Sequence, residues 1–351
     1  MADALDLGSS GQPWGFESPP SHEKAIFLIS MPTLEERKKF SEGQINGIGS
    51  KIKLIENIGA FDECCIFVCG SYGRKEAHDG SDLDLFFINF DLNEPPRSPS
   101  KVDQFLLFAD LIKIIKELSF PDFSNDGEYL KIHSLNEILS NLGSPKDDHC
   151  NYFTTRMLLI LESISIYNSH LHEKIIKESI KKYYVDFEDH QDNFRPIFLI
   201  NDIIRFWKTM CLNYENKRLN PFKSPEEKSK HHLKNLKLKF SRLTTCYSMV
   251  IPLSCKMEKA LTEKDIFELT KLPPLERLER CAVENNYEGY QNLADKYLDL
   301  LDEVSQKDII EKLKDDQFQS RLFKKANDYS QYIYEFLIKV ADKDALRFIT
   351  I

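Results

Sequence analysis

Residues 68–85 read Val-Cys-Gly-Ser-Tyr-Gly-Arg-Lys-Glu-Ala-His-Asp-Gly-Ser-Asp-Leu-Asp-Leu: a glycine-serine turn, an Arg-x-Glu, then a serine and two aspartates one residue apart. The apolar run 64–68 predicts a buried strand ending at Gly70, and 82–88 predicts a second strand. Strand side chains alternate between faces, so Asp82 and Asp84 project to the same side. Two carboxylates on one face repel each other and make poor core material. A divalent cation relieves that repulsion, and Mg²⁺ favours one or two carboxylates plus substrate phosphate oxygens over an all-protein cage. Two such ions about 3.5–4 Å apart would activate an attacking oxygen and neutralise a leaving pyrophosphate. Gly70 and Gly73 let backbone amides approach phosphates, Ser71 offers a hydroxyl, and Arg74 brings a fixed fork of donors. The bland alternative is a hairpin whose aspartates face water.

The segment resembles the active-site signature of the DNA polymerase β-like nucleotidyltransferase superfamily, a glycine-serine or glycine-glycine turn followed by a strand carrying Asp-x-Asp. Gly70-Ser71-Tyr72-Gly73-Arg74-Lys75-Glu76, with Ser81-Asp82-Leu83-Asp84 after four intervening residues, is similar to the corresponding segment of PII-protein uridylyltransferase-like nucleotidyltransferases. Lys75 replaces a usual glycine and Ser71 a frequent second glycine. The resemblance implies a metal-dependent transfer of a nucleoside monophosphate from a nucleoside triphosphate to an acceptor hydroxyl, with Mg²⁺ or Mn²⁺ as cofactor. Asp82 and Asp84 would hold metal, Gly70, Ser71 and Arg74 would hold phosphates, and Glu76 would orient Arg74.

Such enzymes usually draw a third carboxylate from a later strand. After a helical stretch at 102–118, the alternating pattern at 128–133 predicts that strand. Glu128 shares a face with Leu130 and Ile132 and is the expected catalytic and metal-binding carboxylate, with Asp126 beside it as the alternative. An acidic surface loop is the competing reading. Residues 131–137 resemble the strand-to-helix passage of the same group.

Beyond residue 150 the period becomes helical. Residues 153–166 are apolar on most faces and predict a helix packed between two domains. Residues 197–214 predict another, with Arg205 and Lys208 one turn apart on its polar side. These two read either as a solvated face or as cations reaching back to the triphosphate, with Lys208 the candidate nucleotide-binding residue. Between Lys223 and Arg242 seven basic residues stand against two acidic ones, giving an amphipathic basic helix with Lys230, Lys234 and Lys237 in one stripe and Lys239 and Arg242 in a neighbouring one. It reads as a solvated helix, or as one lining the cleft for a triphosphate or an RNA acceptor. Helices around 290–301 and 319–340 complete a bundle.

The chain of 351 residues is 42% hydrophobic, enough for a large core in two domains. A net charge of −9 argues against nonspecific binding of duplex DNA, where phosphate contacts dominate affinity. Eight cysteines without a Cys-x-x-Cys pair read as reduced and mostly buried. His170, His172, His231 and His232 read as surface residues. With no membrane-length apolar run and no secretory leader, a cytoplasmic protein is expected. A flexible tail is expected over 1–30, where Gly, Ser and Pro surround Trp14 and Phe16, and Thr33-x-x-Glu36 resembles a capping box opening the first helix.

The expected architecture is α+β: a small mixed β-sheet nucleotidyltransferase core with flanking helices over 31–150, then an α-helical bundle domain over 151–351. The expected acceptor is a protein side chain such as a tyrosine. The alternatives are transfer RNA, a small molecule, a cyclic nucleotide product, or an inactive nucleotide-binding regulator.

Overall fold

In the computed structural model the described residues run from 33 to 350, without 96, 122, 124–126, 128–129, 189–193, 220 and 257–259. The segment 1–30 expected as a tail lies outside them. Four strands form one mixed sheet: β1 (Cys64–Cys69), β2 (Asp84–Asn89), β3 (Ile132–Ser134) and β4 (Ile164–Tyr167), in the spatial order β3-β2-β1-β4. β1 pairs antiparallel with both β2 and β4, and β2 runs parallel to β3. The fold is therefore α+β, a small mixed sheet among many helices.

α1 (Leu34–Ile52) precedes β1, α2 (Gly70–Gly73) is a single turn leaving it, and α3 (Lys101–Glu117) follows β2. Thr33 and Glu36 form the expected capping box at the start of α1. After β3 come α4 (Leu135–Ser140), α5 (Pro145–His149) and α6 (Tyr152–Glu162), and after β4 comes α7 (Ser169–Lys181). The rest of the chain is helical: α8 (Ile197–Arg218), α9 (Pro225–Lys237), α10 (Leu243–Ser254), α11 (Glu263–Thr270), α12 (Pro274–Glu284), α13 (Tyr290–Val304), α14 (Ile309–Lys312), α15 (Asp316–Val340) and α16 (Lys343–Thr350).

β1 is buried along its whole length because both faces of the sheet are covered. On one side Ile66, Val68, Leu85 and Phe87 pack with Ile48 and Ile52 of α1 and Leu107 and Leu111 of α3. On the other, Cys65, Phe67, Phe86 and Ile88 join a continuous core reaching α6, α7, α10, α13 and α15. Burying each such Phe or Ile contributes roughly 1.5–3 kcal/mol. Two apolar layers thus clamp one strand pair, and that fixes where β1 ends and β2 begins.

Three local expectations are corrected. The stretch 153–166 is not one helix: α6 ends at Glu162 and β4 takes over at Ile164. There Ile164 and Ile166 alternate with Ser165 and Tyr167, and pairing with β1 overrides the helical period. Asp82 precedes the strand rather than opening it, since β1 turns away at Gly70 and Cys69 opposite Asp84 is the last ladder pair. His172 is not a surface residue. It is buried against Phe67 and its Nε2 lies 2.8 Å from the Ser163 hydroxyl; His231 and His232 are half-buried, with His231 stacked on Tyr214. All eight cysteines are free, six of them buried. Among the described residues no helix is long and apolar enough to cross a membrane.

Candidate active site

At the end of β1 the chain must reverse beside the first residue of β2, and Gly70 makes that possible. Its φ is +69°, and a Cβ there would lie 2.7 Å from Oδ2 of Asp84. Only glycine lets the Asp84 carboxylate rest against the turn. Gly73 is tighter still, since its Cβ would fall 1.8 Å from the carbonyl oxygen of Glu162. Lys75, standing where the resembling sequences have glycine, adopts φ +59° and pairs through Nζ with Glu42 at 2.8 Å. Ser71 is half-buried, and among the described residues nothing pairs with its hydroxyl.

Behind this turn lies a buried ion network that sequence reading missed in part. Glu162, fully buried at the end of α6, accepts from Arg74 Nη1 at 2.6 Å, from the Gly70 amide at 3.2 Å and from Arg242 Nη1. Arg74 Nε also donates to Glu76 at 2.8 Å, and the other oxygen of Glu76 accepts from the buried Tyr297 hydroxyl at 2.6 Å. Burial opposes ionisation of Glu162, yet Arg242 and Arg74 hold its carboxyl below the usual range. Arg74 is therefore not a free fork: two of its nitrogens are committed to carboxylates and its side chain is 8% exposed. Its observed work is to anchor the turn.

Burial lifts the Asp84 carboxyl above the usual range, Glu162 and Asp82 push the same way, and Arg242 and Arg74 oppose them. Asp82 is exposed just outside the strand, and both aspartates act on Lys237. Lys237 is exposed by surface area but crowded at its end. Desolvation lowers its ammonium below the usual lysine range, against the pull of Asp82. α9 and α10 join through a π-helical turn, Leu238–Arg242, which carries Arg242 at its end. The basic helix thus divides. Lys237 and Arg242 face the aspartates and Glu162, whereas Lys230 pairs with Glu226 and Lys239 Nζ donates to Asn327.

The structure brings together Gly70, Ser71, Arg74, Asp82 and Asp84. Glu128 and Asp126 lie outside the described residues. Leu130 and Ile132, whose face Glu128 was expected to share, pack in the layer beneath α1 and α3, opposite the layer of Phe86 and Ile88 that follows Asp84 along β2. Lys208 stays exposed on α8, and Arg205 one turn away lies 3.8 Å over the Phe153 ring beside Asp147 and Asp202. Glu162 had no sequence signal beyond a single acid ending an apolar helix. Among the described residues no cluster of three or more His, Cys, Asp or Glu side chains is arranged to hold a metal ion. The pair Asp82 and Asp84, with the cations Lys237 and Arg242 acting on Asp84, suits a metal–phosphate ligand shared between protein and substrate. No family model matches the chain, and no curated protein matches it significantly.

Proposed function

We propose that this protein is a metal-dependent nucleotidyltransferase of the polymerase β-like kind. In this reading an acceptor hydroxyl oxygen attacks the α-phosphorus of a nucleoside triphosphate, a new P–O bond forms, the α–β anhydride bond breaks, and pyrophosphate leaves. The observation that carries the reading is the Asp84 carboxylate seated against the positive-φ Gly70, with Asp82, Lys237 and Arg242 around it. Mg²⁺ or Mn²⁺ bound there would polarise the phosphoryl oxygens and offset the charge of the departing pyrophosphate. Asp82 and Asp84 would be its ligands, and their raised local negative potential favours a divalent cation.

The remaining roles belong to the chain itself. The Gly70–Gly73 turn presents backbone amides and the unpaired Ser71 hydroxyl to the phosphates. Lys237 supplies a point charge, and Glu162 holds Arg74 and the Gly70 amide so that the turn is set before substrate arrives. Incubating the protein with each radiolabelled triphosphate and Mg²⁺ in a cell extract tests the reading by asking whether label enters protein, RNA or a small molecule. Label that appears with wild type and is lost in Asp84→Asn supports it. No label with any triphosphate, or equal label with the variant, overturns it.

A further inference from the structure

Along β2, one same-face step beyond Asp84, Phe86 lines a second cavity of about 290 Å³ together with Lys131, His133, His149, Cys150, Asn151 and Thr154. Two residues along a strand span about 7 Å, so the cavity lies within one small-substrate length of the aspartates. Phe86 also lines the narrow cavity at Asp84.

Two independent features give the cavity its chemistry. α6 begins there. Its N-cap Asn151 takes the left-handed conformation with φ 61° and makes no side-chain cap. The first intrahelical bond runs from the Thr155 amide to the Asn151 carbonyl, so the amides of Tyr152, Phe153 and Thr154 point outward from an eleven-residue helix. The second feature is His133 on β3, 6% exposed, lining the same cavity with no hydrogen-bond partner among the described residues; its Nδ1 is sealed from solvent. Burial holds this imidazole neutral, with a pKa lowered to about 4. Lys131, exposed and without a carboxylate partner among the described residues, adds a positive charge at the rim. The nearby acids are engaged elsewhere: Glu137 accepts from the Tyr152 hydroxyl, Asp147 from Arg156, and Asp148 faces Arg205.

We propose that this cavity is an anion subsite that seats a phosphate group of the acceptor, with the acceptor hydroxyl lying towards Asp84. The assignment to the acceptor rests on the nucleotidyltransferase reading above. It points to a phosphorylated small molecule or nucleotide as the acceptor class, rather than an uncharged protein side chain. The donor triphosphate occupies the other end, at Gly70 and Lys237, so the two ligands approach the aspartates from opposite sides.

The test is a titration of the full chain, selectively ¹⁵N-labelled at histidine, with inorganic phosphate in the absence of Mg²⁺ and nucleotide. The His133 ring signal is assigned with His133→Gln. A saturable shift of that signal is expected. Lys131→Ala should weaken it about tenfold, the scale of one charge-assisted hydrogen bond. Thr154→Asp, which puts a carboxylate at the same helix end, should abolish it while leaving thermal stability equal or higher. No shift, or equal affinity in both variants, overturns the subsite. Displacement of phosphate by a Mg²⁺-triphosphate would assign the cavity to the donor and overturn its acceptor role. Because the titration needs no turnover, a protein that binds phosphate here yet transfers nothing would refute the transferase reading alone and leave the anion site standing.

Discussion

Glu162→Gln removes one negative charge and almost no volume, so its cost isolates the electrostatics of the site's scaffold. In the native chain the carboxylate is fully buried between Arg74, itself 8% exposed, and Arg242, 28% exposed. Two charge-assisted hydrogen bonds at about 1.5–3 kcal/mol each set the upper scale. Arg242 regains water when released, which discounts its share. Arg74 does not; it keeps its bond to Glu76, so its cost falls at or below the low end of the about 3–5 kcal/mol for removing one partner of a buried pair. A loss of about 3 kcal/mol is therefore expected, dominated by Arg74. Equilibrium urea denaturation of wild type, Glu162→Gln, Arg242→Gln and the double variant measures it. Arg242→Gln alone should cost about 1 kcal/mol, and the double variant should show coupling between the two sites. A loss below about 1 kcal/mol in Glu162→Gln would refute the argument, because it would mean that the guanidiniums do not depend on this carboxylate.

Asp84→Asn should abolish transfer yet raise the unfolding midpoint slightly without Mg²⁺, since burial disfavours the ionised carboxylate; an unstable variant would contradict the charge reading. Gly70→Ala should cost about 1–2 kcal/mol from the left-handed backbone alone, besides crowding Asp84. Gly73→Ala should be worse, and a normally folded, stable Gly73→Ala protein would show that the chain near Glu162 yields easily. His133 and His172 are both held neutral by burial, each with a pKa lowered to about 4. Their folded values lie below the unfolded one, so the unfolded chain takes up more protons. Stability should be full above about pH 6.5 and fall towards pH 4, by up to about 3 kcal/mol for each histidine. Urea midpoints that stay flat from pH 7.5 to pH 5 would contradict this.

How much of this was legible in the chain follows from distance along it. The turn at Gly70, the strand at 64–68 and the approach of Asp84 are local, and each rests on residue types within one short segment. The helices α3, α8, α13 and α15 declared themselves by period. β4 did not, because its four residues sit at the end of a longer apolar run whose pairing with β1 is visible only in three dimensions. Glu162 stayed hidden for the same reason: eighty-eight positions separate it from Arg74, and nothing in an apolar helix announces that its last acid turns inward. Lys237 and Arg242 were legible as basic residues, but sequence assigned them to separate stripes of one helix.

That last mismatch comes from the π-helical turn between α9 and α10. In an uninterrupted α-helix, residues five apart stand about 140° from each other around the axis, so Lys237 and Arg242 would look in different directions. Bonds closing i to i+5 widen that one turn and carry the fifth residue back over the first. Both cations act on Asp84 across this single widened turn. The spacing is thus a matter of counting rather than of chemistry. Removing one residue between Leu238 and Ser241 would leave every functional side chain in the protein and still swing Arg242 off Glu162, so in this helix the number of residues is itself a functional property.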